Sequence, residues 1–288
     1  MSILNKIKSK LGHYTWELAY LEYNQDVIKN GIDWRIVHFV KNPYKEKWFA
    51  DPFILDNSET RLTLLVEEFD KNIKRGRIAQ IVIDKSKDII ISCDIVLDLP
   101  THLSFPVIYN LDDKIIVHPE NSESGASYMY EYDPTLIRLV NPREIIREPL
   151  TDAIIVKNQN KYLMYSTCPP EPNGSILRTY ASDNFLGPYK YIGYTHYVIS
   201  KARMAGKFLN VSNKIIRPAQ NCDGGYGKSV IFYDGLDKIG EIYAPNWKFS
   251  GIHTFNVKGG ICVVDLKKND FPLLVLLKNF ITSLYNKF

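Results

Sequence analysis

The amino-acid sequence predicts an all-β fold: a single five-bladed β-propeller domain over residues 1–288, with short helical extensions at both ends. Two observations lead to this fold class. Strand-like runs separated by turn residues recur with a period of about fifty residues, and helical periodicity is absent between residues 35 and 266. The propeller core is therefore expected at about 35–266, with amphipathic helical ends at 1–15 and 270–288.

Five short runs mark the innermost strand of each predicted blade. Each begins with polar or turn residues, and aligning one residue from each run gives steps of 54, 47, 53 and 48 residues. Spacing of this size is typical of propeller blades. The runs are WFADPFIL (48–55), HLSFPVIY (102–109), LTDAIIVK (150–157), RMAGKFLN (203–210) and IHTFNVKG (252–259).

The segments that follow each run complete the blades. A turn containing Asp, Asn or Gly leads to a second strand, and a third strand follows in the first four repeats. The fifth repeat has no clear outer part after Asp265, so the early segments 16–23 and 34–40 are expected to supply it. The ring would then close by joining the two ends of the chain.

Both ends of the chain show the pattern of amphipathic helices. Ile3, Leu4, Ile7 and Leu11 share one face opposite three lysines, and the apolar residues of 273–284 form a similar stripe. Basic amphipathic helices lie on membrane surfaces, but they also pack against their own domain or a partner. A peripheral membrane contact through the termini is one of the alternatives that the sequence leaves open.

Composition and motifs exclude several classes of function. The net charge is +4 with largely dispersed basic residues, which does not predict a nucleic-acid partner. The four cysteines are widely separated, so no zinc site is expected, and no metal or other cofactor is predicted. The sequence Gly-Lys-Ser at 227–229 lacks the first glycine of a phosphate loop.

No signal peptide is visible, so a cytoplasmic location is expected.

The inner strands of a propeller start around a central channel, where this sequence places acidic and polar residues. The candidates at these starts are Asp51, His102, Ser104, Asp152 and His253. Second strands return to the same rim and bring Glu67, Glu68, Glu120 and Asp265. A glycosidic bond is made or broken by two carboxyl groups, which lie about 5–5.5 Å or about 6.5–9.5 Å apart according to stereochemistry. These residue types predict a carbohydrate-type pocket.

Each candidate also has a structural explanation. The strand-start aspartates are able to cap turns or bind backbone amides. Glu67 and Glu68 alternate across a strand, so only one points inward, and the other is expected in solvent or paired with an arginine at 75 or 77. His253 is as consistent with a hydrogen-bonded structural histidine as with a ligand or acid–base group.

A second polar set lies in IIRPAQNCDGGYGKS (215–229). Its members Arg217, Gln220, Asn221 and Lys228 are suited to hydrogen-bonding sugar hydroxyls or to pairing with a phosphate. We therefore include them among the predicted substrate-binding residues.

Several of these segments, in order, resemble a known domain. WFADPFIL, LLVEEFD, GRIAQI, HLSFPVI, HPENS and IIRPAQNCDGGYGKS resemble the N-terminal domain of plant glucosamine inositolphosphorylceramide transferases, from about Trp16 to Asp265. That domain is in turn similar to the five-bladed propellers of the arabinanase, levansucrase and invertase class, which includes enzymes like those of glycoside hydrolase families 43 and 32. Similar bacterial proteins occur near polysaccharide-building functions.

The second resemblance implies roles for particular acids. In those enzymes an aspartate on the inner strand of the first blade is the base or nucleophile, a second aspartate steadies the transition state, and a glutamate is the acid. By position Asp51 matches the first role and Asp152 the second, while either Glu120 or Glu67 matches the acid. The sequence around each acid differs from that of invertases, so the acid is not assigned uniquely.

These observations favour a carbohydrate-active enzyme that makes or breaks a glycosidic bond in the synthesis of a cell-surface polysaccharide or glycolipid. Its partner would be a sugar, nucleotide sugar or glycan. The alternative is a non-catalytic glycan-binding propeller that assists a separate glycosyltransferase, and a protein-interaction scaffold is a third hypothesis. Inheritance of chemistry from a fold is analogy only.

Overall fold

The computed structural model describes residues 14–269. The predicted helical ends lie outside this range, except that residues 14 and 15 begin a strand rather than belonging to a helix. The described part contains twenty β-strands, a four-residue helix α1 (Val27–Asn30) and one 3-10 turn. Among residues 14–269 we find no helix with the length and apolar character needed to span a bilayer.

The strands form five antiparallel sheets of four strands each, which confirms the predicted five-bladed propeller. The first blade consists of β3 (Lys47–Asn57), β4 (Arg61–Asp70), β5 (Arg75–Asp84) and β6 (Ile89–Leu97). The second consists of β7 (Ser104–Leu111), β8 (Lys114–Glu120), β9 (Ser127–Asp133) and β10 (Arg138–Ile146). The third consists of β11 (Thr151–Asn158), β12 (Lys161–Thr167), β13 (Ile176–Ser182) and β14 (Lys190–His196). The fourth consists of β15 (Leu209–Val211), β16 (Lys214–Asn221), β17 (Ser229–Asp234) and β18 (Asp237–Tyr243).

The fifth blade joins the two ends of the described chain. Its strands are β19 (Phe249–Lys258), β20 (Ile261–Asn269), β1 (Tyr14–Glu22) and β2 (His38–Phe39). β1 pairs with β20 along nine residues, so the early segment supplies the outer part of the blade, as the sequence predicted. The propeller strands therefore extend over 14–269, beyond the expected 35–266.

Apolar side chains fill the spaces between the blades. Three clusters of buried residues hold the sheets together, and large aromatic rings such as Phe53, Phe105, Phe232 and Phe255 are fully buried within them. Phe53 and Phe105 meet edge to face across the first and second blades, with ring centroids 5.0 Å apart. Sheets packed on both faces do not show simple hydrophobic alternation, because both faces of each strand are buried.

An irregularity recurs near the start of the inner strands. The register of β3, β7, β11 and β19 against the second strand shifts at this point, as in a β-bulge. Asp51, Phe105 and Asp152 lie at these shifts with φ of 51°, 45° and 50°. Left-handed backbone is uncommon for residues other than glycine and persists where surrounding contacts hold it. A bulge bends the strand and re-aims side chains, here at the centre of the ring.

All inner strands run in the same direction through the ring, which gives the propeller two distinct ends. We call the end at which they begin the start face. Because the strands of each blade alternate in direction, the loops between second and third strands lie on the start face, as do those from an outer strand to the next inner strand. The remaining turns lie on the opposite face.

Candidate active site at the centre of the propeller

A buried Asp–His–Asp chain lies at the start of the inner strands of the first and fifth blades. His253 lies between two carboxylates: its Nδ1 is 2.7 Å from Oδ1 of Asp265, and its Nε2 is 3.3 Å from Oδ1 of Asp51. Asp265 also accepts the backbone N–H groups of Asp51, His253 and Thr254 at 2.9, 3.2 and 3.0 Å. This single carboxylate therefore fixes both the imidazole and the backbone that presents Asp51.

The three side chains have pKa values displaced in different directions. Burial raises the pKa of Asp51 well above its usual range, against the attraction of His253, and the carboxylates nearby raise it further. Burial opposes charge on Asp265, yet His253 and the donated hydrogen bonds lower the pKa of that carboxyl group. Burial opposes charge on His253 as well, but Asp265 and Asp51 together raise the pKa of the imidazole. Of the two carboxyl groups in this chain, Asp51 is therefore the more basic.

Two aromatic rings enclose the imidazole. Trp16 stacks on His253 with ring centroids 3.9 Å apart, and Tyr226 meets the same imidazole edge to face at 5.3 Å. Gly227 lies close by, since a Cβ there would come within 2.9 Å of the Trp16 ring and 3.0 Å of the His253 Cβ. The aromatic walls and this glycine hold the imidazole in one orientation.

Asp152 belongs to a second buried group, formed by the third and fourth blades. Arg203 donates to both of its oxygens, from Nε at 2.6 Å and from Nη2 at 3.3 Å, and the Nε2 of Gln220 donates to Oδ2 at 2.8 Å. The Arg203 guanidinium also lies 5.2 Å from the centre of the Tyr226 ring. Asp152 is thus held as a charged, hydrogen-bonded group. This geometry suits electrostatic stabilisation better than nucleophilic attack.

Glu67, on β4 of the first blade, faces His102 at the entrance to the second blade. Nε2 of His102 is 3.2 Å from its Oε1 and pairs with it, and this buried oxygen accepts no other hydrogen bond among residues 14–269. The Nδ1 of His102 accepts the N–H of Gly76 at 3.1 Å, which leaves the proton of a neutral ring on Nε2. Burial opposes charge on His102, but Glu67 raises the pKa of the imidazole.

Glu120 is held by its own blade. Ser104 Oγ donates to Oε2 at 2.8 Å, and the N–H of Ser122 donates to Oε1 at 2.9 Å. The carboxylate is half-buried, and its charge acts on both Arg203 and His102. Glu120 therefore lies within electrostatic reach of both the Asp152 and Glu67 groups.

The structure brings most of the predicted candidates to one centre. The residues that meet there are Asp51, Glu67, His102, Ser104, Glu120, Asp152, Gln220 and His253. The charges of Asp152 and Glu67 both raise the pKa of Asp51. The Asp–His–Asp chain, the Asp152 group and Glu67 therefore interact electrostatically. We refer to this set, with Arg203, Tyr226 and Asp265, as the central cluster.

Four other predicted substrate-binding residues are not brought there. Glu68 is fully buried and paired with Lys47 at 2.7 Å and with Arg77 at 2.9 Å. It is thus the glutamate of the Glu67–Glu68 pair that was expected to bind an arginine. Arg217 is buried with its guanidinium 3.9 Å and 4.9 Å from the centres of two tyrosine rings. Asn221 donates to Glu241 at 2.8 Å. These three side chains serve blade packing.

The fourth, Lys228, is exposed on the loop between β16 and β17. Its backbone N–H donates to the Asn221 carbonyl at 3.0 Å. This loop belongs to the start face, so Lys228 lies on the same end of the propeller as the central cluster without being part of its buried network.

Three members of the cluster or its walls were not predicted: Trp16, Arg203 and Tyr226. Arg203 opens the fourth repeat unit two positions before Ala205, the residue that aligns with Asp51 and Asp152, so the repeat alignment gave no signal for it. Tyr226 lies in a glycine-rich stretch that points to a close backbone approach. Nothing in the local sequence of Trp16 indicates its role, because it reaches the centre only through closure of the fifth blade.

The Asp–His–Asp chain also has the composition of a cation site. Asp51, His253 and Asp265 each offer one ligand atom, and these atoms lie within 4.8 Å of one another. Two carboxylates and an imidazole are ligands that suit a divalent transition-metal ion. Asp265 already accepts three backbone N–H groups and the imidazole, so its oxygens would have to share those hydrogen bonds with a metal ion.

Several solved structures with the same architecture are glycoside hydrolases. The catalytic domain of a GH62 α-L-arabinofuranosidase from Coprinopsis cinerea superposes with a TM-score of 0.53 at 8% identity, covering 89% of this chain and 98% of that one. A family 117 glycoside hydrolase from Zobellia galactanivorans gives 0.52 at 9% identity, with 90% and 91% covered. A GH43 β-1,3-galactosidase gives 0.50 at 11% identity, with 71% and 78% covered. At such identities the likeness shows a shared fold.

Sequence relatives are more specific. The profile of the family described as glucosamine inositolphosphorylceramide transferase 1, N-terminal, matches residues 36–243. Glucosamine inositolphosphorylceramide transferase 1 of Arabidopsis thaliana is 27% identical over 201 residues, which are 67% of this chain and 26% of that protein. The Oryza sativa subsp. japonica protein of the same name is 24% identical over 200 residues, with 66% and 26% covered.

The fold thus defines a five-bladed propeller of the kind found in GH43 and GH62 glycoside hydrolases. Within that class, the chain belongs to the glucosamine inositolphosphorylceramide transferase 1 N-terminal domain family, as the resemblance of its motifs predicted. It spans about a quarter of the length of the plant relatives, since the match covers 26% of each.

Proposed function

We propose that the protein binds a sugar of a glycolipid or cell-surface glycan at the central cluster and makes or breaks the glycosidic bond of that sugar. The observation that carries the proposal is the pairing of Asp51, whose pKa is raised well above its usual range, with the charged Asp152–Arg203 pair in one buried centre. Glycosyl chemistry uses two carboxyl groups in different roles, and here one lies against the His253–Asp265 pair while the other lies against Arg203.

The geometry suggests a division of roles. Asp51 would exchange a proton with the leaving or attacking oxygen. The His253 imidazole, itself held by Asp265, contacts the Asp51 carboxyl group and would stabilise its charged form when the proton leaves. Asp152, with both oxygens bound by Arg203, would stabilise positive charge that develops on the sugar ring. Oε1 of Glu67, whose one nearby donor in the described residues is His102 Nε2 at 3.2 Å, would accept a hydrogen bond from a sugar hydroxyl.

The family relationship supports a biosynthetic role. The plant relatives are named as transferases of glucosamine inositolphosphorylceramide, and the propeller region is the part that this chain shares with them. A sugar attached to a phosphoinositol-containing lipid is therefore the substrate class that we propose. The cytoplasmic location predicted from the sequence stays a prediction.

A turnover assay tests the proposal. The full chain is incubated with a panel of nucleotide sugars, aryl glycosides and glycosylinositol lipids, and kcat/KM is compared with that of Asp51→Asn. Loss of a general acid–base group lowers the rate by about 10²–10⁴-fold. The control is Asp237→Asn, an exposed aspartate at the start of β18, which should stay within about twofold of the wild-type rate. Full activity of Asp51→Asn on the identified substrate would exclude the mechanism.

A non-catalytic glycan-binding propeller is the second candidate. It is favoured by the extent to which the acids are already engaged: both oxygens of Asp152 accept bonds from Arg203 or Gln220, and both oxygens of Glu120 accept bonds as well. In this case calorimetry would detect sugar binding by the wild-type protein and by Asp51→Asn alike, with no turnover by either.

A further inference from the structure

Three loops of the start face carry exposed apolar residues at their tips. They are 71–74 between β4 and β5, 198–201 between β14 and β15, and 246–248 between β18 and β19. The exposed fractions are 44% for Ile73, 66% for Val198, 73% for Ile199 and 47% for Trp247. These four large apolar side chains therefore present much of their surface to solvent at one end of the propeller.

Each of these tips is accompanied by lysine. The three loops contain Lys71, Lys74, Lys201 and Lys248 but no aspartate or glutamate. Within residues 14–269 none of the four lysines forms an ion pair, and the Nζ of Lys71 donates to a backbone carbonyl, that of Lys45, at 3.1 Å. The loops thus present positive charge that the described part of the protein does not neutralise.

Backbone hydrogen bonds fix the loops to the propeller body. The N–H of Cys222 donates to the Ser200 carbonyl at 2.9 Å, and the N–H of Asn269 donates to the Lys248 carbonyl at 3.0 Å. The described chain also begins at β1 and ends at β20 on this same face. Within residues 14–269 the three lysine-bearing loops are therefore held at one end of the molecule.

Three turns of the opposite face differ in charge from these loops. Turns 111–113, 133–136 and 234–237 contain five aspartates and no lysine or arginine, although turn 85–88 on the same face has two lysines and one aspartate. Two of the three turns also expose a leucine, with exposed fractions of 61% for Leu136 and 63% for Leu236. Exposed apolar residues thus occur on both faces, but the two leucines of these turns lie beside aspartate, whereas the apolar tips of the three start-face loops lie beside lysine.

We propose that the start face binds the surface of a bilayer that contains anionic lipids. Ile73, Val198, Ile199 and Trp247 would enter the headgroup region, where tryptophan and short apolar tips are accommodated, and the lysines would contact lipid phosphates. Charge complementarity selects this partner, since a neutral protein surface would leave four lysines unpaired. The inference goes beyond the proposed function, and only one consequence rests on it: the sugar site at this same end would face the membrane.

Vesicle flotation with the full chain tests the proposal. The probes are vesicles of phosphatidylcholine alone and of phosphatidylcholine with three parts in ten phosphatidylglycerol, a mixture chosen for its negative charge. We expect binding to the anionic vesicles only, and about fivefold weaker binding for each of Lys74→Glu and Lys248→Glu, the factor that corresponds to about 1 kcal/mol per basic residue at such a surface. Ile199→Ser should weaken binding by a similar factor.

The matched control is Leu236→Ser, which removes an equally exposed apolar residue from the opposite face and should bind as the wild type does. The proposal is overturned if the wild-type chain does not bind anionic vesicles, or if Leu236→Ser and Ile199→Ser lose binding equally. It is also overturned if the loop variants bind like the wild type, since the contact would then belong to other segments. Sugar turnover by the loop variants is also measured on soluble glycosides, which need no membrane. Loss of vesicle binding is therefore distinguishable from loss of the proposed glycosyl chemistry.

Discussion

Replacing Asp265 with asparagine should destabilise the propeller strongly. The Asp265 side chain is fully buried and accepts the backbone N–H of Asp51 through Oδ2, while Oδ1 accepts two further N–H groups and the His253 ring. In Asp265→Asn one of these oxygens becomes an NH₂ group. If that NH₂ faces Asp51, two buried donors oppose each other, at a cost of about 1–3 kcal/mol.

The loss of charge adds to this cost. His253 would remain between Asp51 and a neutral side chain, and removing one partner of a buried ion pair typically costs about 3–5 kcal/mol in total. We therefore expect the free energy of unfolding to fall by about 3–5 kcal/mol, measured by urea denaturation with an unchanged m-value. Asp237→Asn, on the exposed turn before β18, should change it by less than about 0.5 kcal/mol.

The pH dependence of this difference supplies an independent check. The raised pKa of His253 means that its stabilising charge is fully present below its ordinary value of 6.5 and is lost as the pH rises through the raised value. The lowered pKa of Asp265 means that its contribution is present above 3.8 and is lost as the pH falls through the lowered value. The difference between wild type and variant should therefore be largest between these values. A difference under about 1 kcal/mol throughout that window would refute the proposed pairing.

Three other changes have defined consequences. Gly76→Ala places a Cβ 2.5 Å from the carbonyl oxygen of Leu103, so thermal unfolding should show a loss of about 1–3 kcal/mol. Burial lowers the pKa of His118 to about 4. Its neutral form therefore contributes stability that is fully present above pH 6.5 and is lost as the pH falls toward 4. His118→Leu should flatten this part of the curve of unfolding free energy against pH, and an unchanged slope would contradict the assignment. Arg217→Met keeps most of the buried volume between the two tyrosines and should leave sugar turnover within about twofold of wild type. A loss of turnover at unchanged thermal stability would show that Arg217 belongs to the sugar site.

The sequence predicted the blades well because the repeat is visible in it. Each inner strand starts with a polar or turn residue, and these residues lie at the bulges that point toward the centre, as Asp51 and Asp152 show. Ring closure was also predictable, since the fifth repeat lacked outer strands and the early segments had no other blade to join. The exact extent of the fifth blade was not, because pairing of β1 with β20 depends on contacts between distant parts of the chain.

Only part of the site was predicted from the sequence, and the reason is physical. Arg217 and Gln220 lie three residues apart on β16 and are both fully or nearly fully buried, yet only Gln220 faces the centre. Strands buried on both faces do not reveal which side is inward, so the sequence placed both residues in the pocket. Arg203 was overlooked because a strand-start search weighted toward acids does not detect the cation that neutralises one of them.

A structure of the protein with a bound sugar tests the central claim most directly. Crystals soaked with the sugars and nucleotide sugars that bind in calorimetry would locate the ligand relative to Asp51, Glu67 and Asp152. The account predicts a sugar ring at the central cluster, with Oε1 of Glu67 within hydrogen-bond distance of a hydroxyl and two carboxyl groups about 5–10 Å apart across the ring. A sugar bound elsewhere, with the Asp265–His253–Asp51 chain and the Asp152–Arg203 pair unchanged and inaccessible to it, would contradict the account.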